Sequence, residues 1–287
     1  MSKAGLTTLA RAALTQAIRR GPREILWIPD AVRGGNVLYY WLHAYLQQQQ
    51  GESCLVLNNP SAIEWLEHFP DARSMAIARD QIRKTDRRLV PGPLQHFGVD
   101  FTVEDLDSFI HHVILGRSSV LPALIQDHGG RYDVTLNVRR GDYYSDPRWR
   151  GEYSFDVVEY VRTAIASVRA TGPISSIHVI SDDLEWCRIK LSWLNDLAPV
   201  TTPAPSSSAL QHLAALAASP RLILANSTFS YWGGYLATWN MKKHRPDKNS
   251  GVWAPGFHNR YFPDNGRATQ LHPCWNIIED IPGGWDG

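Results

Sequence analysis

Three apolar runs in the second half of the chain, Tyr132–Val138, Ser176–Ile180 and Arg221–Ala225, each end in a polar cluster, and stretches of helical periodicity separate them. Short runs of this kind, bounded by turn residues, read as buried strands. Strands that alternate with helices imply a parallel sheet, because a parallel pair needs a long crossover and a helix supplies it. The three clusters are Arg139-Arg140-Gly141-Asp142, Ser181-Asp182-Asp183 and Asn226-Ser227-Thr228-Phe229-Ser230. Taken singly, each reads as a turn or a helix cap. Each also follows the carboxyl end of its strand, the edge at which open parallel sheets bind ligands, so the three are expected to converge.

Helices are expected over Phe155–Arg169, over Leu210–Ala218 behind the Pro- and Ser-rich loop Thr201–Ser208, and over Tyr231–Trp239. The first half repeats the pattern once. A strand over Glu24–Asp30 turns at Arg33-Gly34-Gly35-Asn36 into an apolar helical run, Val37–Leu46, followed by a strand at Cys54–Leu57. This order implies a parallel pair with a phosphate-sized gap at the turn. Positions 60–128 read as mostly helical, with the mixed-charge run Ala78–Arg88 as a solvated helix face. A chain of 287 residues is expected to form two domains or one large one, and Gly129-Gly130 marks a break before the Tyr132–Val138 strand.

Charge narrows the functional classes. Lys plus Arg number 29 against 28 Asp plus Glu, a formal net charge of +1 that gives no global field to draw in nucleic acid or an anionic membrane. An anionic ligand must therefore be held locally. Cys54, Cys187 and Cys274 are too scattered for a disulfide framework or a zinc site and read as reduced thiols. The stretch Leu6–Arg20 has helical spacing with Arg11, Arg19 and Arg20 but lacks a signal peptide's apolar block, and no apolar run reaches the ~20 residues of a membrane span. A cytoplasmic protein is the expectation.

The residue types at the strand ends suit a diphosphate. Arg139 and Arg140 offer planar forks for phosphate oxygens; if they alternate along the chain, one faces the crevice and the other pairs with an acidic neighbour. Ser227, Thr228 and Ser230 fall where a helix begins, so hydroxyls and free N–H groups lie at the positive end of its dipole. Gly141 lets the backbone come close. Asp182 and Asp183 suit the N–H edge of a guanine or ribose hydroxyls; a metal reading is weaker because adjacent carboxylates on an extended chain point to opposite sides. Trp149, Trp232 and Tyr143 offer faces for a sugar, with packing the simpler role for Trp232, whereas Trp186, Trp193, Trp239 and His178 read as core. His43, on the first helix, is a further candidate to face the crevice.

The segments Asn137–Tyr143, Val179–Cys187 and Leu224–Leu236 closely resemble the signature blocks of bacterial α-1,2-fucosyltransferases of glycosyltransferase family 11. Arg33–Asn36 looks like a shortened form of that family's N-terminal turn, and Trp253–Pro255 and Pro273–Trp275 look like its tail. The resemblance is dense over about 132–240 and essentially absent over 60–128.

The resemblance implies an α/β fold of the GT-B type, with two Rossmann-like lobes. The C-terminal lobe, 129–287, would hold a GDP-sugar and the N-terminal lobe, 1–128, would contact the acceptor. It implies transfer of L-fucose from GDP-fucose, with inversion, to a hydroxyl of an oligosaccharide or lipid-linked glycan, forming an α-1,2 linkage to galactose. No metal or other cofactor is expected. The surroundings would be those of surface-polysaccharide assembly, with at most weak peripheral membrane contact by the basic N-terminal stretch. By the motif match Arg139 grips the β-phosphate, Asn226 and Ser227–Ser230 with Phe229 bind the diphosphate, Asp182 or Asp183 reads guanine, and Gly34, Gly35 and Asn36 join the donor site. Asn137 stands where the family usually has His beside the guanine. Asp142 is the first candidate for a general base or, equally, for orienting Arg139; Asp146 and Glu152 are reserves, and a late proton loss would demand little of any base.

Overall fold

The computed structural model describes residues 19–244, 251–279 and 281. The helix expected over Leu6–Arg20 lies outside them except for Arg19 and Arg20, which are not helical. The chain divides into two compact units, one of residues up to 95 together with 99–118, the other of 96–98 together with 119 onward.

The first unit runs β1 (Arg23–Leu26), α1 (Gly34–Gln49), β2 (Ser53–Leu57), α2 (Pro60–His68), β3 (Ala76–Ile77), β4 (Arg87–Leu89) and α3 (Val103–Phe109). Its strands form a parallel sheet in the order β3-β2-β1-β4, so the winding direction reverses between β1 and β4. Helix α1 buries Val37, Leu38, Trp41, Leu42 and Tyr45, the i, i+3/i+4 stripe that periodicity predicts. The run Ala78–Arg88 is not the expected helix: it passes through a short 3₁₀ turn at Arg79–Gln81 into β4. The physical reason is pairing across an exposed sheet edge, where charge is tolerated. Arg87 faces Glu24 of β1 at 3.6 Å, and Arg88 lies over the Trp27 ring at 5.1 Å. Asp86, nearly inaccessible, takes a two-pronged hydrogen bond from Arg23 at 3.1 and 2.6 Å.

The second unit runs α4 (Val120–His128), β5 (Val134–Val138), α5 (Gly141–Ser145), α6 (Pro147–Tyr153), α7 (Val157–Ala170), β6 (Ile177–Ser181), α8 (Leu184–Lys190), β7 (Val200–Thr201), α9 (Ala209–Ala217), β8 (Leu222–Ile223), α10 (Thr228–His244), β9 (Val252–Pro255) and β10 (Asn276–Ile278). Its parallel sheet has the order β10-β9-β8-β5-β6-β7. Chain order moves outward through β5, β6 and β7 on one side and through β8, β9 and β10 on the other. This is the doubly wound arrangement, with its switch point between β5 and β8. Helix α4 packs on α9 and so falls in this unit, which moves the division from the expected 128/129 to 118/119.

Every residue of β5 is buried, as a central parallel strand requires. Val134, Leu136 and Val138 pack with Tyr160, Val161, Ala164, Ile165 and Val168 of α7. Asp156 caps α7 through the Glu159 N–H, and Ser208 with Gln211 forms the capping box that starts α9. At the amino edge of the sheet Arg221 and Asp133 form an ion pair that ties the approach to β8 to that of β5. Both therefore enter the sheet from a fixed edge.

Candidate functional site

The three polar clusters of the second half sit at the carboxyl ends of β5, β6 and β8, the first and third flanking the switch point. Arg139 and Arg140 leave β5 on opposite sides. Arg139 is about one-third exposed and its guanidinium forms ion pairs with Asp142 and with Asp182 across on the β6 end. Arg140 turns inward: its side chain is 8% exposed and its guanidinium carbon lies 4.0 Å from the centres of both the Tyr144 and Trp186 rings. Asp183 approaches it at 3.5 Å. Alternation therefore separates the two as the sequence suggests, but the partners differ. The outer arginine carries the two close carboxylates, and the inner one lies over two aromatic faces with Asp183 beside it. Arg140, expected among the donor-binding residues, is enclosed by the scaffold because α5 and α8 bring Tyr144 and Trp186 over it.

Asp182 and Asp183 do different work. Asp182 accepts from the Arg140 backbone N–H at 2.8 Å and from the Arg139 guanidinium, so one carboxylate bolts the β5 end to the β6 end. Asp183 caps α8 through the Trp186 N–H at 3.1 Å. Gly141 has φ +24°, a conformation that favours glycine, and a Cβ there would displace the Asp182 carboxylate. Asn137 is buried and its Nδ2 donates to the Ile180 carbonyl at 3.0 Å, within the sheet.

At the end of β8 the fully buried Asn226 donates to the carbonyls of Tyr153 at 2.8 Å and His258 at 3.1 Å, while its Oδ1 is buried with no hydrogen-bond partner. Ser227 caps α10, its Oγ accepting from the Ser230 N–H at 3.2 Å. Thr228 and Phe229 begin the helix half-buried, and N–H groups of a first turn have no intrahelical acceptor. Ser230 is fully buried and its Oγ accepts from the Ala225 N–H at 2.8 Å, so it closes the turn from inside. Of the expected hydroxyl residues, Thr228 is half-buried, while Ser227 and Ser230 are buried.

Asp146 caps α6 and pairs with Arg148, whose side-chain hydrogen bond holds its carboxyl down at about 2. Glu152 accepts from Asn259. All three carboxylates considered as bases, Asp142, Asp146 and Glu152, thus already have partners. Gly34, Gly35 and Asn36 open α1 in the first unit. A Cβ on Gly34 would strike the Trp65 indole, and Asn36 accepts from Gln95 at 2.8 Å, which spans the β1 and β4 ends. His43 lines a pocket of the same unit with Asp100 and Thr102.

Trp232 is fully buried, while Trp186, Trp193 and Trp239 are half-buried with Arg140, Arg162 and Lys243 over their rings. His178 is core: it hydrogen-bonds Thr201 at 2.9 Å, stacks on Tyr132, and burial drives its pKa down to about 4. Trp149 stays 39% exposed, at the edge of the stacked pair Tyr143–Tyr153. Burial, with Glu152 adding to it, pushes the Tyr153 phenol up to about 12.

Sequence reasoning missed the turn after β9. His258 hydrogen-bonds Tyr231 at 3.1 Å, burial holds its pKa at about 4, and its carbonyl anchors Asn226. The signal was present: Val252–Pro255 followed by Gly256-Phe257-His258-Asn259 is a fourth apolar run ending in a polar cluster. Among the described residues no group of three or more His, Cys, Asp or Glu side chains is arranged to hold a metal ion, and no helix is long and apolar enough to cross a membrane.

A doubly wound sheet with arginine, carboxylate and helix-cap groups around its switch point defines the class: an α/β unit with a candidate anion-binding edge. Comparison with known sequences then places the segment. Residues 117–243 match the model of glycosyl transferase family 11, the family read from the three blocks. The O-antigen biosynthesis glycosyltransferase WbnK of Escherichia coli is 28% identical over 109 residues, 38% of this chain and 36% of that protein, so the match spans well under half of the relative. Among solved structures, POFUT1 in complex with GDP aligns at 13% identity over 73% of this chain and 67% of its own, with a TM-score of 0.39. POFUT1 in complex with GDP-fucose aligns at 14% identity over 72% and 65%, with a TM-score of 0.38.

Proposed function

We propose that the chain is a glycosyltransferase that moves L-fucose from GDP-fucose to a hydroxyl of a glycan, with inversion, forming an α-1,2 linkage to galactose. The observation that carries this reading is the placement of Arg139 and the start of α10 on the two sides of the β5–β8 switch point, in the segment that matches glycosyl transferase family 11. A departing nucleoside diphosphate gains charge in the transition state, and fixed donors aimed at it supply the stabilisation.

In this reading Arg139 takes a β-phosphate oxygen, the N–H groups of Thr228 and Phe229 take others at the helix start, and Asp182 holds the arginine in place. Asp183, 40% exposed, is the better placed of the two carboxylates to meet guanine. Asp142 acts first as a positioning residue, since its carboxylate already pairs with Arg139. With Asp146 and Glu152 also engaged, the reading favours late loss of the acceptor proton over a strong general base. It assigns no step to a metal. It carries with it a cytoplasmic place of action, at most in peripheral contact with a membrane, on an oligosaccharide or lipid-linked acceptor.

A second reading, the same transfer with another nucleotide sugar, is favoured by Asn137, whose amide bonds Ile180 inside the sheet rather than presenting a donor to a base. An array of nucleotide sugars and glycan acceptors, read by mass spectrometry of the products, separates the two. Fucosyl transfer from GDP-fucose supports the first; transfer from a different donor alone selects the second; GDP binding without turnover of any donor overturns both.

A further inference from the structure

A second cavity, of about 340 Å³, opens at the carboxyl ends of β9 and β10, on the same sheet edge as the clusters but beyond β8. Its volume lies in the range of small-molecule sites. Phe155 and Phe257 line it, their rings edge to face at 5.8 Å. Planar polar groups surround them. Arg267 pairs with Glu279 at 2.6 Å, and Arg260 lies over the Phe257 ring at 5.2 Å.

The rim includes two of the three non-glycine residues with positive φ among the described residues. Asp264 and Asn265 are consecutive non-glycine residues in the left-handed region, at φ 55° and 59°, and both line the cavity. Such a conformation is unfavourable for L side chains and persists where surrounding structure imposes it. Here a closed hairpin imposes it. The His258 N–H donates to the Gly266 carbonyl at 2.8 Å, the Gly266 N–H to the Phe262 carbonyl at 3.1 Å, and the Ala268 N–H to the Gly256 carbonyl at 2.7 Å. The hairpin is fixed in turn to the phosphate-side cluster, because Arg260 N–H bonds the Glu152 carbonyl at 2.9 Å and Asn226 bonds the His258 carbonyl.

The lining selects a ligand class. Arg260 and Arg267 are balanced by Asp264 and Glu279, so the cavity has no excess charge with which to hold a phosphate. An apolar aromatic wall beside carboxylate, amide and guanidinium groups matches a pyranose, which presents C–H groups to apolar surface and hydroxyls that both donate and accept. We propose that this cavity is a sugar site that takes a neutral pyranose of the acceptor glycan. The proposal rests on the glycosyl-transfer reading for the word acceptor, and it places part of acceptor recognition in the second unit instead of wholly in the N-terminal one.

Saturation-transfer NMR tests it on the whole chain with GDP present, using the methyl glycosides of galactose, glucose, N-acetylglucosamine and N-acetylgalactosamine together with lactose as probes. At least one is expected to bind. Asn265→Gly, which keeps the left-handed backbone and removes the amide, and Glu279→Gln, which keeps the shape and removes the charge, should each weaken that sugar about tenfold. GDP affinity by calorimetry should stay the same. No binding by any probe, or binding undiminished in both variants, overturns the proposal. Sugar binding lost in the variants of a chain that transfers nothing upholds the cavity as a sugar site while refuting the transfer reading; active transfer with sugar binding indifferent to both variants refutes the cavity alone.

Discussion

Replacing Asp182 by Asn removes a charge and leaves the shape. The carboxylate receives two donors from the neighbouring strand end, the Arg139 guanidinium and the Arg140 backbone N–H at 2.8 Å. An amide presents one oxygen and one NH₂, so whichever way it turns, one of those donors faces another donor. The backbone hydrogen bond contributes about 1 kcal/mol. The ion pair involves an arginine side chain 34% exposed and a carboxylate 28% exposed, and solvent screening limits it to under about 1 kcal/mol. Together the loss is about 1–2 kcal/mol, and a chain of this size shifts its thermal midpoint about 2–4 °C for each kcal/mol. The effect on ligand binding is larger than the effect on folding. Arg139, left with Asp142 alone, is drawn off its position, and GDP affinity should fall about tenfold, the equivalent of about 1.4 kcal/mol. Thermal melts and GDP calorimetry on Asp182→Asn read both quantities. Unchanged midpoint and unchanged GDP affinity would refute the claim that this carboxylate holds the site together.

Burial sets His258 at about 4 from an ordinary value of 6.5, so between those pH values the unfolded chain binds the proton and the folded chain does not. Stability is therefore expected to fall as the pH drops from 6.5 toward 4, with His258 alone accounting for about 3 kcal/mol at the bottom of that window. His258→Gln should flatten that part of a urea-denaturation pH series, and an unaltered slope would show that His258 is not buried neutral. Ser230→Ala leaves the buried Ala225 N–H without its acceptor and should lower stability by about 1–3 kcal/mol. GDP affinity below the melting transition should hardly change in that variant; a large loss of GDP binding with no loss of stability would instead place the Ser230 hydroxyl on the phosphate.

The elements legible in the sequence are those buried on both faces. Val134–Val138 and Ile177–Ser181 are buried almost throughout, and their ends fall within a residue or two of the periodicity reading. The third run shrinks from Arg221–Ala225 to Leu222–Ile223, because Arg221 is drawn to Asp133 and the Ala225 N–H bonds to Ser230. Short strands left no periodic signal. β4 is exposed along its length and held by Glu24–Arg87 pairing, which a charge run does not announce. At the site, alternation foresaw that Arg139 and Arg140 part company. It did not supply Tyr144 and Trp186, since those rings arrive from two different helices. The same holds for Ser230: a hydroxyl at a helix start reads as a ligand group until the turn that consumes it is seen.

The central claim is that Arg139 and the start of α10 form one seat for a diphosphate at the β5–β8 switch point. Calorimetric titration of the intact chain and of Arg139→Ala with GDP and with GMP tests it most directly. The account predicts that the wild type binds GDP more tightly than GMP and that Arg139→Ala narrows this difference to what the start of α10 supplies, while the thermal midpoint falls by less than about 8 °C, as expected for two mostly solvent-screened pairs of under about 1 kcal/mol each. Equal affinity of both proteins for GDP would contradict it.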